Sequence, residues 1–213
     1  MPAKTEQPGA RAPGRPRSVE ADRAILDAAL DLFVRQGYEA MSIEGVAAQA
    51  RVGKTTVYRR WTSKEELIVA AIDELIFDVV PIETGSLRDD LVGLLVSIQT
   101  VMTSSRAGAV FPRMAAHVAE GSPLGRAYLE RVIEPRFAVL QEIVAGGIER
   151  GELPAGTDPE LVRALLVGPV LMWKLMRRLT RRGARVRAER IVDTVLAGLI
   201  ANGRDDNVEV SRP

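Results

Sequence analysis

The chain has no cysteine and a single histidine, His117. The first absence excludes disulfides, thiolate metal sites and a thiol nucleophile, and it fits a reducing, cytoplasmic setting. The second leaves any metal site to carboxylates. No ligand spacing for one is present, so neither a metal nor another cofactor is expected. Aromatic residues make up 4% of the chain, so its core must be largely aliphatic. No apolar run approaches the ~20 residues that span a bilayer; the longest extends from Ala164 to Trp173. The opening stretch, MPAKTEQPGARAPGRPRS, lacks the apolar core of a secretory signal. An excess of one charge sign is also missing, since 29 basic residues stand against 28 acidic ones. A nucleophile elbow and a phosphate loop are absent too, which argues against an enzyme.

What is present is helical periodicity, with 46% apolar residues to build a core. Ile25, Leu26, Ala29, Leu30 and Phe33 keep one face apolar and predict a helix over 19–36. Ser18 can cap it, Glu20 and Asp22 suit its first turn, and Gly37 stops it. Ser42 opens a short second helix, and a third spans about 54–60. Ser63-Lys64-Glu65-Glu66 is a capping box for a fourth, running toward Pro81. Ser86, Ser122-Pro123 and Asp158-Pro159 open helices at about 87–104, 123–149 and 159–179, and a last helix spans 187–201. Pro135 and the Gly168-Pro169 pair should bend or break theirs. The predicted fold class is all-α with about nine helices. It divides into a basic arm at 1–18, a head at 19–64, a larger helical domain at 65–202 and a polar tail at 203–213.

The head has the layout of a helix-turn-helix. Val46 and Ala47 lie on the first helix of that motif, with Ala47 as the small residue where the two helices cross. Ala50, Val52 and Val57 complete the inward face. Lys54, Thr55, Thr56, Tyr58, Arg59 and Arg60 point outward, offering hydroxyl, phenol and guanidinium donors of the kind that contact phosphates and base edges. From Ala50 to Lys64 there are five basic residues and no acidic one. That local excess is the electrostatic footprint of DNA binding, despite the nearly neutral whole.

Residues 25–74, ILDAALDLFVRQGYEAMSIEGVAAQARVGKTTVYRRWTSKEELIVAAIDE, resemble the TetR family of bacterial regulators. The stretch GELPAGTDPELVRALLVGP is similar to a segment of one branch of their ligand domains. The resemblance implies that Lys54, Thr55 and Thr56 open the recognition helix and reach into the major groove. It implies phosphate contacts for Tyr58, for Lys64 at the start of the next helix, and for Ser42 at a helix N-terminus. Arg60 would reach base or backbone, and Trp61 would anchor the core. One position departs: Arg51 stands where the family usually has glycine in the turn. A left-handed Arg51 would be strained by ~1 kcal/mol, unless Gly53 relieves it by shifting the turn. In the arm, Gly14-Arg15-Pro16-Arg17 resembles a minor-groove hook, which sets Arg15 and Arg17 beside A·T-rich DNA. A solvated tail is an equal reading.

The resemblance also implies that the remaining helices bind a small molecule and pair with a second subunit. The segments at about 159–179 and 187–201 are the expected homodimer face, because 161–179 is apolar on more than one side. Met102, Phe111, Met114, His117, Trp173 and Met176 are the expected pocket residues, adaptable or flat groups suited to an apolar effector. The basic run from Lys174 to Arg190 reads as helix-end charge and solvated loop before any ligand contact. The leading expectation is a homodimeric repressor released from a double-stranded operator by a small, largely apolar effector. The alternatives are a helical enzyme or sequestering protein for a hydrophobic molecule, and an effector-free architectural DNA-binding protein.

Overall fold

The computed structural model describes residues 19–76, 84–104 and 106–209, with side chains as far as Ala201. Arg15, Arg17 and the stretch leading to Pro81 lie outside the described residues. The described chain is all-α, without a strand. It runs α1 (Val19–Ala40), α2 (Ile43–Gln49), α3 (Lys54–Tyr58), α4 (Lys64–Leu75), α5 (Leu87–Thr103), α6 (Ala107–Ala119), α7 (Pro123–Tyr128), a π turn (Leu129–Ile133), α8 (Glu134–Glu149), α9 (Pro159–Leu175) and α10 (Ala184–Glu209). The π turn joins α7 and α8 into one rod, so the described residues form nine helical units.

Most starts fall where a side chain can accept from a free backbone N–H. Ser42, Ser63, Ser86, Ser122 and Asp158 cap α2, α4, α5, α7 and α9 in this way. The box at α4 is displaced by one residue: Ser63 caps Glu66, but Glu66 reaches back to the backbone and hydroxyl of Thr62. Several stops share one device, a left-handed residue after the helix with two reversed backbone bonds. Gly121 and Gly151 fill it after α6 and α8. Arginines fill it twice: Arg51 after α2 at φ 56° and Arg177 after α9 at φ 57°. Gly53 does not relieve Arg51. It sits at φ −70° as the N-cap of α3, while Arg51 and Val52 close onto Ala48 and Ala47.

Three helices differ from expectation. The segment 107–119, to which the sequence reading assigned no helix, is α6, despite Pro112 inside it. α9 stops at Leu175 rather than 179, because Arg177 turns left-handed, yet it passes through Pro169. α10 spans 184–209, longer at both ends than 187–201, so the backbone of the expected tail is helical to Glu209. Pro135 acts one turn early. It has no N–H to continue the regular ladder, and the wide π turn just before it absorbs the mismatch.

Two clusters of buried side chains hold the molecule. The first unites α1–α4, centred on Phe33, Val57, Leu67 and Ile72, with Val110 and Met114 of α6 and Leu124 and Tyr128 of α7. Full burial of a side chain like Phe33 stabilises by about 1.5–3 kcal/mol. The second cluster joins α5, α8, α9 and α10. Residue 64 therefore separates two helices, but not two cores: α4 packs with the head and continues away from it. Ion pairs reinforce both clusters. Arg106, just before α6, reaches Asp27 at 2.6 Å and Asp31 at 3.0 Å, one helical turn apart on α1. Arg88 of α5 holds Asp193 of α10 through two bonds of 2.6 and 2.9 Å.

Candidate nucleic-acid interface and internal cavity

α2 and α3 cross with Val46, Ala47 and Val57 buried between them and Trp61 closing the base. That packing leaves the other side of α3 to solvent. Thr55, Tyr58 and Arg59 are exposed, and Thr56 is half-buried. Arg59 makes no ion pair with any described residue, so its guanidinium is free for an anion. Lys54 is exposed, pairs with Glu44 of α2 and lies 5.5 Å from the centre of the Tyr58 ring. The shared hydrogen bond holds the Glu44 carboxyl below, and the Lys54 ammonium above, their ordinary ranges. A surface pair of this kind is worth little, so a phosphate can replace Glu44 cheaply. Ser42 is exposed at the start of α2. Its oxygen accepts from Gly45 N at 3.1 Å, which leaves its hydroxyl proton to donate outward.

Two residues expected to contact DNA are engaged within the chain instead of standing free. The Arg60 side chain is 10% exposed and forms an ion pair with Asp22, tying the end of α3 to α1. Lys64 Nζ donates to the carbonyls of Tyr38 at 2.9 Å and Met41 at 3.3 Å, and stands 4.0 Å from the Tyr38 ring centre. Those carbonyls follow Gly37, whose φ of 84° breaks the helical path of α1. Lys64 thus braces the turn from α1 into α2. Tyr38 continues this cluster. Burial and a hydrogen bond to Glu65 push its phenol pKa upward, and the same bond holds the Glu65 carboxyl low. The Tyr38 ring also meets His117 of α6 edge-on at 5.6 Å.

Beyond the head lies a cavity of about 510 Å³. Leu94, Ile98, Val101 and Met102 of α5 form one wall, Phe111, Ala115 and Val118 of α6 another. Leu129 and Ile133 of the π turn, with Arg136, Phe137 and Leu140 of α8, form the third. Arg163, Val167, Gly168 and Leu171 of α9 complete it, and Ile76 at the end of α4 touches it. Met102 and Phe111 are therefore in the wall. The other four expected pocket residues are not. Met114 is fully buried in the first core cluster, and His117 bonds Ser122 Oγ at 3.2 Å through Nδ1. Trp173 sits in the last turn of α9, where its carbonyl accepts from Arg178 and Leu179, and Met176 is 58% exposed. Sequence reasoning missed most of the wall, because cavity-lining Leu, Ile and Val have the same periodicity as core residues. The available signal was Arg136 and Arg163, two cations on otherwise apolar helical faces.

Residues 25–71 match the family model for bacterial regulatory proteins of the tetR family, and residues 81–205 match the tetracyclin repressor-like C-terminal domain. Over 184 residues the chain is 31% identical to the DNA-binding transcriptional repressor TetR of Mycobacteroides abscessus, covering 84% of this chain and 94% of that one. It is 31% identical over 158 residues to the uncharacterized HTH-type transcriptional regulator YdeS of Bacillus subtilis, covering 74% and 79%. Among solved structures, Salmonella enterica GusR superposes with a TM-score of 0.70 at 23% identity, covering 87% of this chain and 97% of that one. No described helix is long and apolar enough to cross a membrane. The protein is a DNA-binding transcriptional regulator and belongs to the TetR family.

Proposed function

We propose that the protein is a homodimeric repressor whose grip on operator DNA is released by a small molecule in the cavity. One observation carries the reading: α4 and α6 each touch both the head and the cavity. α4 begins at Lys64, which braces the turn into α2, and its C-cap, Ile76, lies in the cavity wall. α6 puts Phe111 and Ala115 in the wall, while Arg106 and His117 fasten its two ends to α1. A ligand that favours a different spacing of these helices changes the head that they hold. It acts only to the extent that it binds the DNA-incompetent arrangement more tightly.

Lys54, Thr55, Thr56, Tyr58 and Arg59, with Ser42, form the DNA-facing set. Dimerisation is supported by an uncovered apolar stripe. Leu161, Leu165 and Met172 lie exposed along one side of α9 and Met176 at its C-cap, with Val186 and Ile200 exposed on α10. Ala188 and Val192 of α10 are instead buried in the protomer's own second cluster, so among the described residues nothing covers the stripe, which suits a partner subunit. A two-fold pair sets two heads about 34–36 Å apart, matching one turn of DNA.

The test is fluorescence anisotropy on DNA flanking the protein's own gene, titrated with a small-molecule library. Release of wild-type protein, and none of an Ala115→Phe variant that still binds DNA, supports the reading. Release that is indifferent to filling the cavity would refute it.

A further inference from the structure

The cavity wall is apolar apart from Arg136, Arg163 and the Tyr128 hydroxyl, and no acidic side chain is among its lining residues. Arg136 is the one tied to the head. Its Nη1 donates to Asp73 Oδ1 at 2.9 Å and to the Val132 carbonyl at 2.6 Å. Its Nη2 donates to the Asp73 carbonyl at 3.1 Å, and its Nε to the Ile76 carbonyl at 3.4 Å. The Asp73 and Ile76 carbonyls lie at the end of α4, where backbone donors run short: Asp73 also accepts from Ile76 N at 3.2 Å. One guanidinium therefore lines the cavity and finishes the helix that leads to the head.

Tyr128 is in the same wall, buried, and its hydroxyl makes no hydrogen bond with another described residue. Burial pushes its phenol up to about 12, with the Arg136 charge pulling the other way, so it stays a neutral O–H donor within electrostatic reach of Arg136. Arg163 adds a second cation, stacked 4.5 Å from the Phe137 ring centre and paired with Glu160.

We propose that the cavity selects an amphipathic carboxylate, and that its head group takes Arg136 away from Asp73 and the end of α4. The proposal rests on the cavity being the effector site. A guanidinium presents parallel N–H donors that match two carboxylate oxygens, and Tyr128 supplies a further donor. The exchange is feasible because the Asp73 side chain is 51% exposed, so its pair with Arg136 is weak and it returns readily to water. Arg136 is 20% exposed and gains a carboxylate in a drier place. In the same step the Ile76 carbonyl loses the guanidinium and the Asp73 carbonyl keeps only the Ile76 N–H, which loosens the cavity end of the helix whose other end braces the head.

The test uses Nile red, a neutral dye, displaced from the full chain by dodecanoate or by dodecanol. In the wild type, dodecanoate should displace the dye at concentrations lower by about tenfold, the worth of one charge-assisted hydrogen bond. Arg136→Met should abolish that preference while dodecanol and Nile red still bind. Asp73→Asn leaves the guanidinium in place and removes its competitor, so it should strengthen dodecanoate binding and leave dodecanol unchanged. Equal displacement by acid and alcohol, or an unchanged preference in Arg136→Met, overturns the proposal but leaves the cavity reading standing. Failure of Nile red, dodecanoate and dodecanol alike to bind overturns both.

Discussion

The head and the cavity half are both helical, yet they are wired over different distances along the chain. In the head, Lys64 reaches back 26 residues to Tyr38, and the α2 and α4 caps bond three or four residues on. In the cavity half, Arg136 closes on Asp73 across 63 residues, Gln99 on Ala184 across 85 and Arg88 on Asp193 across 105. Short-range wiring fixes a surface that a few adjacent residues determine. Long-range wiring encloses a space whose walls come from five helical segments, and it links that space to the head through α4 and α6.

The largest effect expected from this contrast concerns two methionines. Met114→Ala should cost about 2–5 kcal/mol of stability by denaturant unfolding, because it empties a packed core. Met102→Ala should cost much less, since its side chain already borders empty space. Equal costs would place both in the core and break the distinction.

Next come two adjacent arginines. Arg60→Ala strands Asp22 and should cost about 1–3 kcal/mol, allowing for partial solvent screening. Arg59→Ala should stay within about 0.5 kcal/mol of wild type and weaken DNA binding in a gel-shift titration. If Arg59→Ala binds DNA normally, the outward face of α3 is assigned wrongly.

Arg51→Gly should raise stability by about 1 kcal/mol, the cost of holding a non-glycine residue left-handed. Gly121→Ala, at φ 61°, should lower it. The smallest change is Glu44→Gln. It should leave the melting temperature unchanged and modestly tighten DNA binding, by freeing Lys54 and removing a negative charge beside it.

Legibility in the sequence follows the same division. Ser42, Ser63, Ser86, Ser122 and Asp158 mark helix starts because a cap is a contact over two or three residues. The helix-turn-helix was readable for the same reason, whereas the question of a left-handed Arg51 arose from the family resemblance and left relief by Gly53 open. α6 was missed because Pro112 and the absence of a capping side chain at Arg106 obscure it. Arg60 and Lys64 look like DNA contacts in a basic run. Only the return of α1 beside them supplies Asp22 and the Tyr38 and Met41 carbonyls. The cavity was the least legible part. Trp173 and Met176 are large and adaptable, but the turn at Arg177 ends α9 there, and Met176 lies exposed. Leu129 and Ile133 reach the wall through a π turn that no apolar spacing announces.

The most direct test of the DNA-facing surface is the salt dependence of binding to the DNA flanking the protein's own gene, followed by fluorescence anisotropy. For wild type, the logarithm of the binding constant should fall linearly with the logarithm of salt concentration. Arg59→Ala should flatten that line by about one phosphate contact, while Lys64→Met should keep the wild-type slope and lose thermal stability instead. A Lys64→Met line that flattens, beside an Arg59→Ala line that does not, would contradict the assignment of these two side chains.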